Sequence, residues 1–172
     1  MRPPAPEFRR RVAVVVPGNE YHARLATPFA VLGIRTAGAR LAEIVYLPRG
    51  AATLAPQNRL AETCCRQLER YLDDPQFRFE LPFAFDGTDF RRRVWQAIGR
   101  IPAGRTLTYG ELAQQLRSAP RAVGGACGAN RLPLVIPCHR VVARGGIGGF
   151  MNARGGDPIA IKRWLLAHEH AG

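Results

Sequence analysis

The sequence predicts a mixed α/β protein in two units, an α/β unit over residues 1–82 and a unit built on a helix-turn-helix outline over residues 83–172. Three observations predict it. From Val12 to Leu47 the texture is strand-like, whereas downstream of Phe85 it is helical. Between the two lies "DDPQFRFELPFAFDGTD", a loop with two prolines and a glycine that reads as a linker. Positive charge also divides unevenly: of the formal +12, residues 1–85 carry +4 and residues 86–172 carry +8. At 172 residues and 47% hydrophobic content the chain is long enough to bury a core.

In the first unit the strand-like runs are "VAVVV" (Val12–Val16), "FAVLGIR" and "LAEIVYL", the last two joined by "TAGAR", which reads as a hairpin. A helix follows from about Asn58 to Leu72, with Leu60, Cys64, Leu68 and Leu72 recurring every fourth residue. That spacing makes Cys64 a small core residue. Cys65 carries no functional signal.

In the second unit "FRRRVWQAI" puts Phe90, Val94 and Ile98 on one helix face, with Thr88 or Asp89 as N-cap and Arg91, Arg92 and Arg93 as a solvated charge run. "TYGE" is a capping box, Thr108 with Glu111, that opens a short helix through Leu116. "RSAP" ends that helix, and Pro120 suits the first turn of the next. The next helix, "PRAVGGACGAN", is unusual. Two glycines inside it cost about 1 kcal/mol each relative to alanine, and Ala122, Gly124, Gly125, Ala126, Gly128 and Ala129 leave it almost without bulk. Either it packs tightly into the protein's own core or it leaves room for an external backbone. Arg121 in its first turn opposes the helix dipole, which favours an external, anionic partner.

Several classes are excluded or disfavoured. The basic start "MRPPAPEFRRR" leads only to a five-residue apolar run, so it does not read as a signal peptide. No apolar stretch approaches the roughly 18 residues a membrane helix needs, and the expected location is the cytoplasm. The four cysteines show neither a disulfide framework nor zinc spacing, so no metal or cofactor is expected. An arginine-for-lysine bias explains why 24 of the 25 basic residues are Arg, but not the sign of the charge; a basic second half suits phosphate neutralisation.

Within "LVIPCHRVVARGG", Cys138, His139 and Arg140 stand in a row. Cysteine reacts as its thiolate, and a base and a cation lie next to it. On an extended segment His139 and Cys138 point to opposite faces, so the imidazole must reach the thiol through a turn or a bridging water, and Pro137 supports a bend.

The stretches "IPAGRTLTYGELA", "RAVGGACGAN", "IPCHRVV" and "KRWLLAHE", in this order and at these separations, resemble the O6-alkylguanine-DNA alkyltransferase family, the methylated-DNA–protein-cysteine methyltransferases. The resemblance covers residues 83–172 and is most specific in "PCHRV"; over residues 1–82 it is limited to element order. It implies a ribonuclease-H-like N-terminal α/β domain and a winged-helix-like C-terminal domain. It also implies a monomeric DNA-repair protein that needs no cofactor, binds no membrane, and grips duplex DNA through the minor groove. The damaged nucleotide would be flipped out, and the alkyl group moved once and irreversibly from O6 of guanine, or O4 of thymine, to Cys138.

By the same resemblance His139 is the base, acting through water, and Glu169 orients it. Asn130 braces the turn before the cysteine loop, where its alternative role is a left-handed helix cap. Tyr109 donates to the guanine. Arg121 is the finger that fills the vacated stack, with Ala122, Gly124, Gly125 and Arg131 completing the DNA contact. Cys127, Val141, Phe150 and Met151 line the substrate pocket, and the carbonyls of Cys138 and Val141 accept from the guanine amine. The chain departs from the family pattern in a shorter "LAQQLRSAPR" interval, in Phe150 where tyrosine is frequent, and in a longer loop "MNARGGDP". Among rivals, a helix-turn-helix regulator or non-catalytic lesion sensor leaves "PCHRV" unexplained, and a cysteine hydrolase has no need of the basic half.

Overall fold

The computed structural model describes residues 20–150 and 158–170. The strand expected at Val12–Val16 and the pocket residue Met151 lie outside them. The described residues form a mixed α/β fold. Strands β1 (Ala23–Ala26), β2 (Val31–Ala37) and β3 (Arg40–Leu47) make an antiparallel sheet in the order β1-β2-β3. The hairpin expected at "TAGAR" turns at Gly38, whose φ of +58° suits glycine. β1 was not legible as a strand: it is four residues long and carries Arg24.

Helix α1 (Arg59–Asp73) packs on this sheet, capped by Asn58, whose side chain accepts from Ala61 N at 2.8 Å. Cys64 is buried as expected, but the buried stripe is Ala61, Cys64, Cys65, Leu68 and Tyr71, while Leu60 and Leu72 flank it half-buried. Cys65 therefore has a packing role.

The linker expectation needs correction. Residues 74–88 are an extended strap in which Phe77, Phe79, Leu81, Phe83 and Phe85 alternate and pack against the core. Leu41 N donates to Pro82 O at 2.8 Å, and Gln67 and Glu80 exchange two hydrogen bonds. Pro75 and Pro82 hid this strand-like period, because proline cannot donate to a ladder.

Helices α2 (Asp89–Gly99), α3 (Tyr109–Gln115) and α4 (Pro120–Gly128) pack together, and α5 (Pro158–His170) closes the chain. Thr88 caps α2, and the Thr108–Glu111 capping box is present on α3. The short α3–α4 turn is closed by two bonds, Ser118 N to Ala113 O and Arg117 N to Gln114 O, with Arg117 in the left-handed region at φ 52°. A two-residue parallel pair, β4 (Leu107–Thr108) with β5 (Val141–Val142), ties the start of α3 to the segment after the cysteine. That pairing brings Tyr109 to the side of Cys138.

Candidate active site

Cys138 opens a 3-10 turn, Cys138–Arg140, entered through Pro137, so the segment bends as anticipated. Its sulfur lies at a cavity of about 410 Å³ bordered by Tyr109, Arg121, Gly124, Gly125, Cys127 and Phe150. A hollow of about 430 Å³ between residues 76–79 and 99–103 holds neither thiol. The cavity gathers the residues expected to hold and flip a base with the residue expected to react with it.

Three hydrogen bonds of Asn130 brace the sulfur's surroundings. Asn130 Nδ2 donates to Ile136 O at 2.9 Å and to Cys138 Sγ at 3.0 Å, while Asn130 Oδ1 accepts from Leu132 N at 2.9 Å. The left-handed cap is ruled out for Asn130, because Arg117 and Leu134 are the positive-φ non-glycine residues described and α4 ends on a right-handed Ala129. Leu134, buried at φ 73°, stores strain in the loop leading to the cysteine.

Behind the thiol stands a buried relay. His139 Nε2 is 2.8 Å from Glu169 Oε1, and both side chains are about 1% exposed. The carboxylate only accepts, so Nε2 carries the hydrogen and Nδ1 is left as the basic nitrogen. No hydrogen bond links His139 to Cys138 directly among the described residues. Burial pushes the His139 pKa down, keeping the imidazole neutral. Hydrogen bonds from His139 and Arg140 hold Glu169 well below the carboxylate range even though burial opposes them.

Arg140 does not serve the thiol as its position beside Cys138 suggested. Its Nε and Nη2 donate to Glu169 at 3.0 and 2.8 Å, and Nη1 donates to Ile101 O. The cation facing the sulfur region is Lys162, which sequence reasoning missed. Fully buried on α5, it donates to Val141 O at 2.7 Å and Gly149 O at 2.9 Å. Burial brings its pKa down to about 8, and the nearby thiols of Cys127 and Cys138 pull the other way. A signal was available: Lys162 is the one lysine in a chain that uses arginine everywhere else.

The hydrogen bond with Cys127, and then burial, hold the Cys138 thiol well above its usual pKa, against the Asn130 amide and the Lys162 charge. The resting nucleophile is therefore the neutral thiol, and it needs a base. Tyr109, half-buried at the start of α3, donates to Gly149 O at 3.3 Å, and burial pushes its pKa up to about 12.

The remaining expected residues divide. Val141 is fully buried outside the cavity lining; its carbonyl accepts from Lys162 and its N–H donates to Cys138 O. Arg121, Ala122 and Gly125 are exposed on α4. A Cβ built on Gly124 or Gly125 would meet nothing within 4 Å, so the protein's own packing does not require these glycines. Among the described residues, tight packing into the core therefore does not account for these two glycines. Arg131 lies away from the cavity, exposed but 3.6 Å from Glu43 of β3, with its carbonyl accepting from Ile44 N. Among the described residues no group of three or more His, Cys, Asp or Glu gathers to hold a metal, and no helix is long and apolar enough to cross a membrane.

Known proteins resemble this chain. Residues 89–171 match the family model of the 6-O-methylguanine DNA methyltransferase DNA-binding domain. The methylated-DNA–protein-cysteine methyltransferase of Archaeoglobus fulgidus is 40% identical over 105 residues, 60% of this chain and 71% of that protein. The protein of that name from Methanocaldococcus jannaschii is 36% identical over 133 residues, 76% of this chain and 77% of that one. The Salmonella typhimurium relative reaches 49% identity, but over 52% of this chain and 51% of that protein. Among solved structures, Mycobacterium tuberculosis OGT in complex with DNA superposes with a TM-score of 0.73 at 32% identity, covering 86% of this chain and 91% of that one. The chain belongs to the methylated-DNA–protein-cysteine methyltransferase family.

Proposed function

We propose that this protein binds DNA and repairs it by taking the alkyl group from O6 of guanine onto Cys138, once per molecule. The observation that carries this reading is the meeting of three features at one cavity. These are a buried thiol, the His139–Glu169 pair behind it and a bare helix start bearing Arg121 at its mouth.

His139 Nδ1 takes the thiol proton through a bridging water while Nε2–H stays on Glu169. The Cys138 thiolate attacks the alkyl carbon in line, a C–S bond forms, and the C–O bond breaks with its electron pair passing to O6. The proton lost by the thiol balances the one regained at N1 of guanine. Lys162 steadies the transient thiolate, and the Tyr109 hydroxyl faces the leaving base. The thioether product has no electrophilic carbonyl for water to attack, so the protein ends alkylated.

The DNA lies along α4 by its minor groove, too narrow for a bulky helix face. Arg121 fills the stack when the nucleotide leaves it. Phe150 walls the alkyl side of the pocket. Residues 1–82 form the supporting α/β unit and residues 83–172 the unit that binds and reacts, in a cytoplasmic monomer.

The test is Cys138→Ala together with mass mapping. An O6-methylguanine duplex mixed with wild type should leave one methyl per chain, on Cys138, while the variant should bind the duplex and remove no methyl. A methyl found on Cys127, or multiple turnovers, would contradict the assignment.

A further inference from the structure

Glu169 is held by more than the relay. Tyr71, near the end of α1 and 98 positions upstream, donates its hydroxyl to Glu169 Oε1 at 2.8 Å, with 1% of the residue exposed. The same oxygen takes His139 Nε2 at 2.8 Å and Arg140 Nη2 at 2.8 Å, while Oε2 takes Arg140 Nε at 3.0 Å and Gly104 N at 3.5 Å. We propose that Tyr71 is a positioning residue for the alkyl transfer: its hydroxyl draws on the charge of Oε1 and so sets the basicity of His139 from across the molecule. The proposal rests on the reading of His139 as the base.

A plain docking role accounts for the ring but not for the hydroxyl. The Tyr71 carbonyl already accepts from His168 Nε2 at 2.8 Å, and the Tyr71 ring meets the His168 ring edge-on at 5.3 Å. Phenylalanine would keep both contacts. The hydroxyl's bond goes to Glu169, and burial with that carboxylate beside it keeps the phenol protonated well above its usual range, so it stays a donor.

An ionised carboxylate offers about four lone-pair sites, and five donor contacts share them here. Each extra donor on Oε1 takes charge that would otherwise strengthen the bond from His139 and raise the imidazole pKa. Arg140 and Lys162 also face the imidazole and lower its pKa, and Glu169 raises it. On the far side Tyr71 is faced by Glu169, Arg140 and Tyr46, with His168 against its ring. Removing only the phenol oxygen leaves all these charges in place.

The experiment measures the single-turnover rate of the full chain with free O6-benzylguanine across pH. For wild type the rate falls on the acid side as His139 becomes protonated, and His139→Gln should lack that limb. Tyr71→Phe should move the limb to higher pH by roughly half to one unit. Fluorotyrosine at position 71, a stronger donor, should move it to lower pH. In Glu169→Gln, adding Tyr71→Phe should shift the limb no further. A limb that stays put in Tyr71→Phe while Tm falls would reduce Tyr71 to a staple between α1 and α5 and overturn the proposal. An acid limb that persists in His139→Gln would overturn the base assignment as well, which separates the two failures.

Discussion

On the α5 side of Cys138, the Glu169 carboxylate takes donors from Tyr71, His139, Arg140 and Gly104. On the α4 side, Gly124 and Gly125 face open space, Ala119 provides no side-chain cap, and the first turn holds Arg121 and no acidic residue. One side is saturated with partners and the other is left without them. The saturated side needs nothing from outside to be in working geometry. On the proposed reading, the bare side gives up helix propensity and capping for an interaction that DNA completes. The chemical step and the recognition step should therefore fail separately under mutation.

The largest effect is expected from breaking the saturated side. Glu169→Gln leaves Arg140 and His139 without their buried anion, costing about 3 kcal/mol, and removes the orientation of the base, slowing reaction with free O6-benzylguanine about 10²-fold. Thermal unfolding and single-turnover rates check both. The variant should also change the acid response. Glu169 has a folded pKa depressed below its ordinary 4.5, so its stabilisation is present above that pH and lost as pH falls further. His139, depressed below 6.5, adds destabilisation as pH falls below that value. Wild-type Tm should thus fall steadily from about pH 6.5 downward, and below pH 4.5 the fall should be shallower in Glu169→Gln.

A smaller and opposite effect is expected on the bare side. Gly125→Ala places a methyl in open space and should stabilise the protein by about 0.5–1 kcal/mol through helix propensity. Gly125→Leu should fold as well but weaken duplex binding about tenfold, measured by fluorescence anisotropy, because the added bulk stands where the groove must approach. Unchanged affinity in Gly125→Leu would remove α4 from the DNA interface.

The same contrast explains what the sequence could disclose. Thr88 and the Thr108–Glu111 box act within three residues of themselves, so their patterns are local and legible: of the two caps the sequence offers, Thr88 and Asp89, the chain uses Thr88, and the box is present. The thiol, imidazole and carboxylate of the site were found because they sit in motifs matching a family. Tyr71, Lys162 and the true partner of Arg140 are not legible in the sequence, since each acts through contacts 13 to 98 positions away that no local period encodes. Arg131 is expected at the DNA from its neighbours in sequence; the contact no local pattern discloses is the one 3.6 Å away, Glu43 of β3. The strap at residues 74–88 was misread because its prolines mask an alternation that the folded chain uses for packing.

The most direct test of the separation between chemistry and recognition is the pair of rates for Arg121→Ala. Arg121 is exposed and borders the cavity, whose lining includes neither His139 nor Glu169. Its removal should leave the rate with free O6-benzylguanine near wild type and slow repair of an O6-methylguanine duplex about 10- to 100-fold, reflecting the few kcal/mol of unstacking it offsets. A mismatched partner base, already easier to unpair, should restore part of the loss. Equal losses on the free base and the duplex would contradict the account, because they would place Arg121 in the support of the reacting thiol.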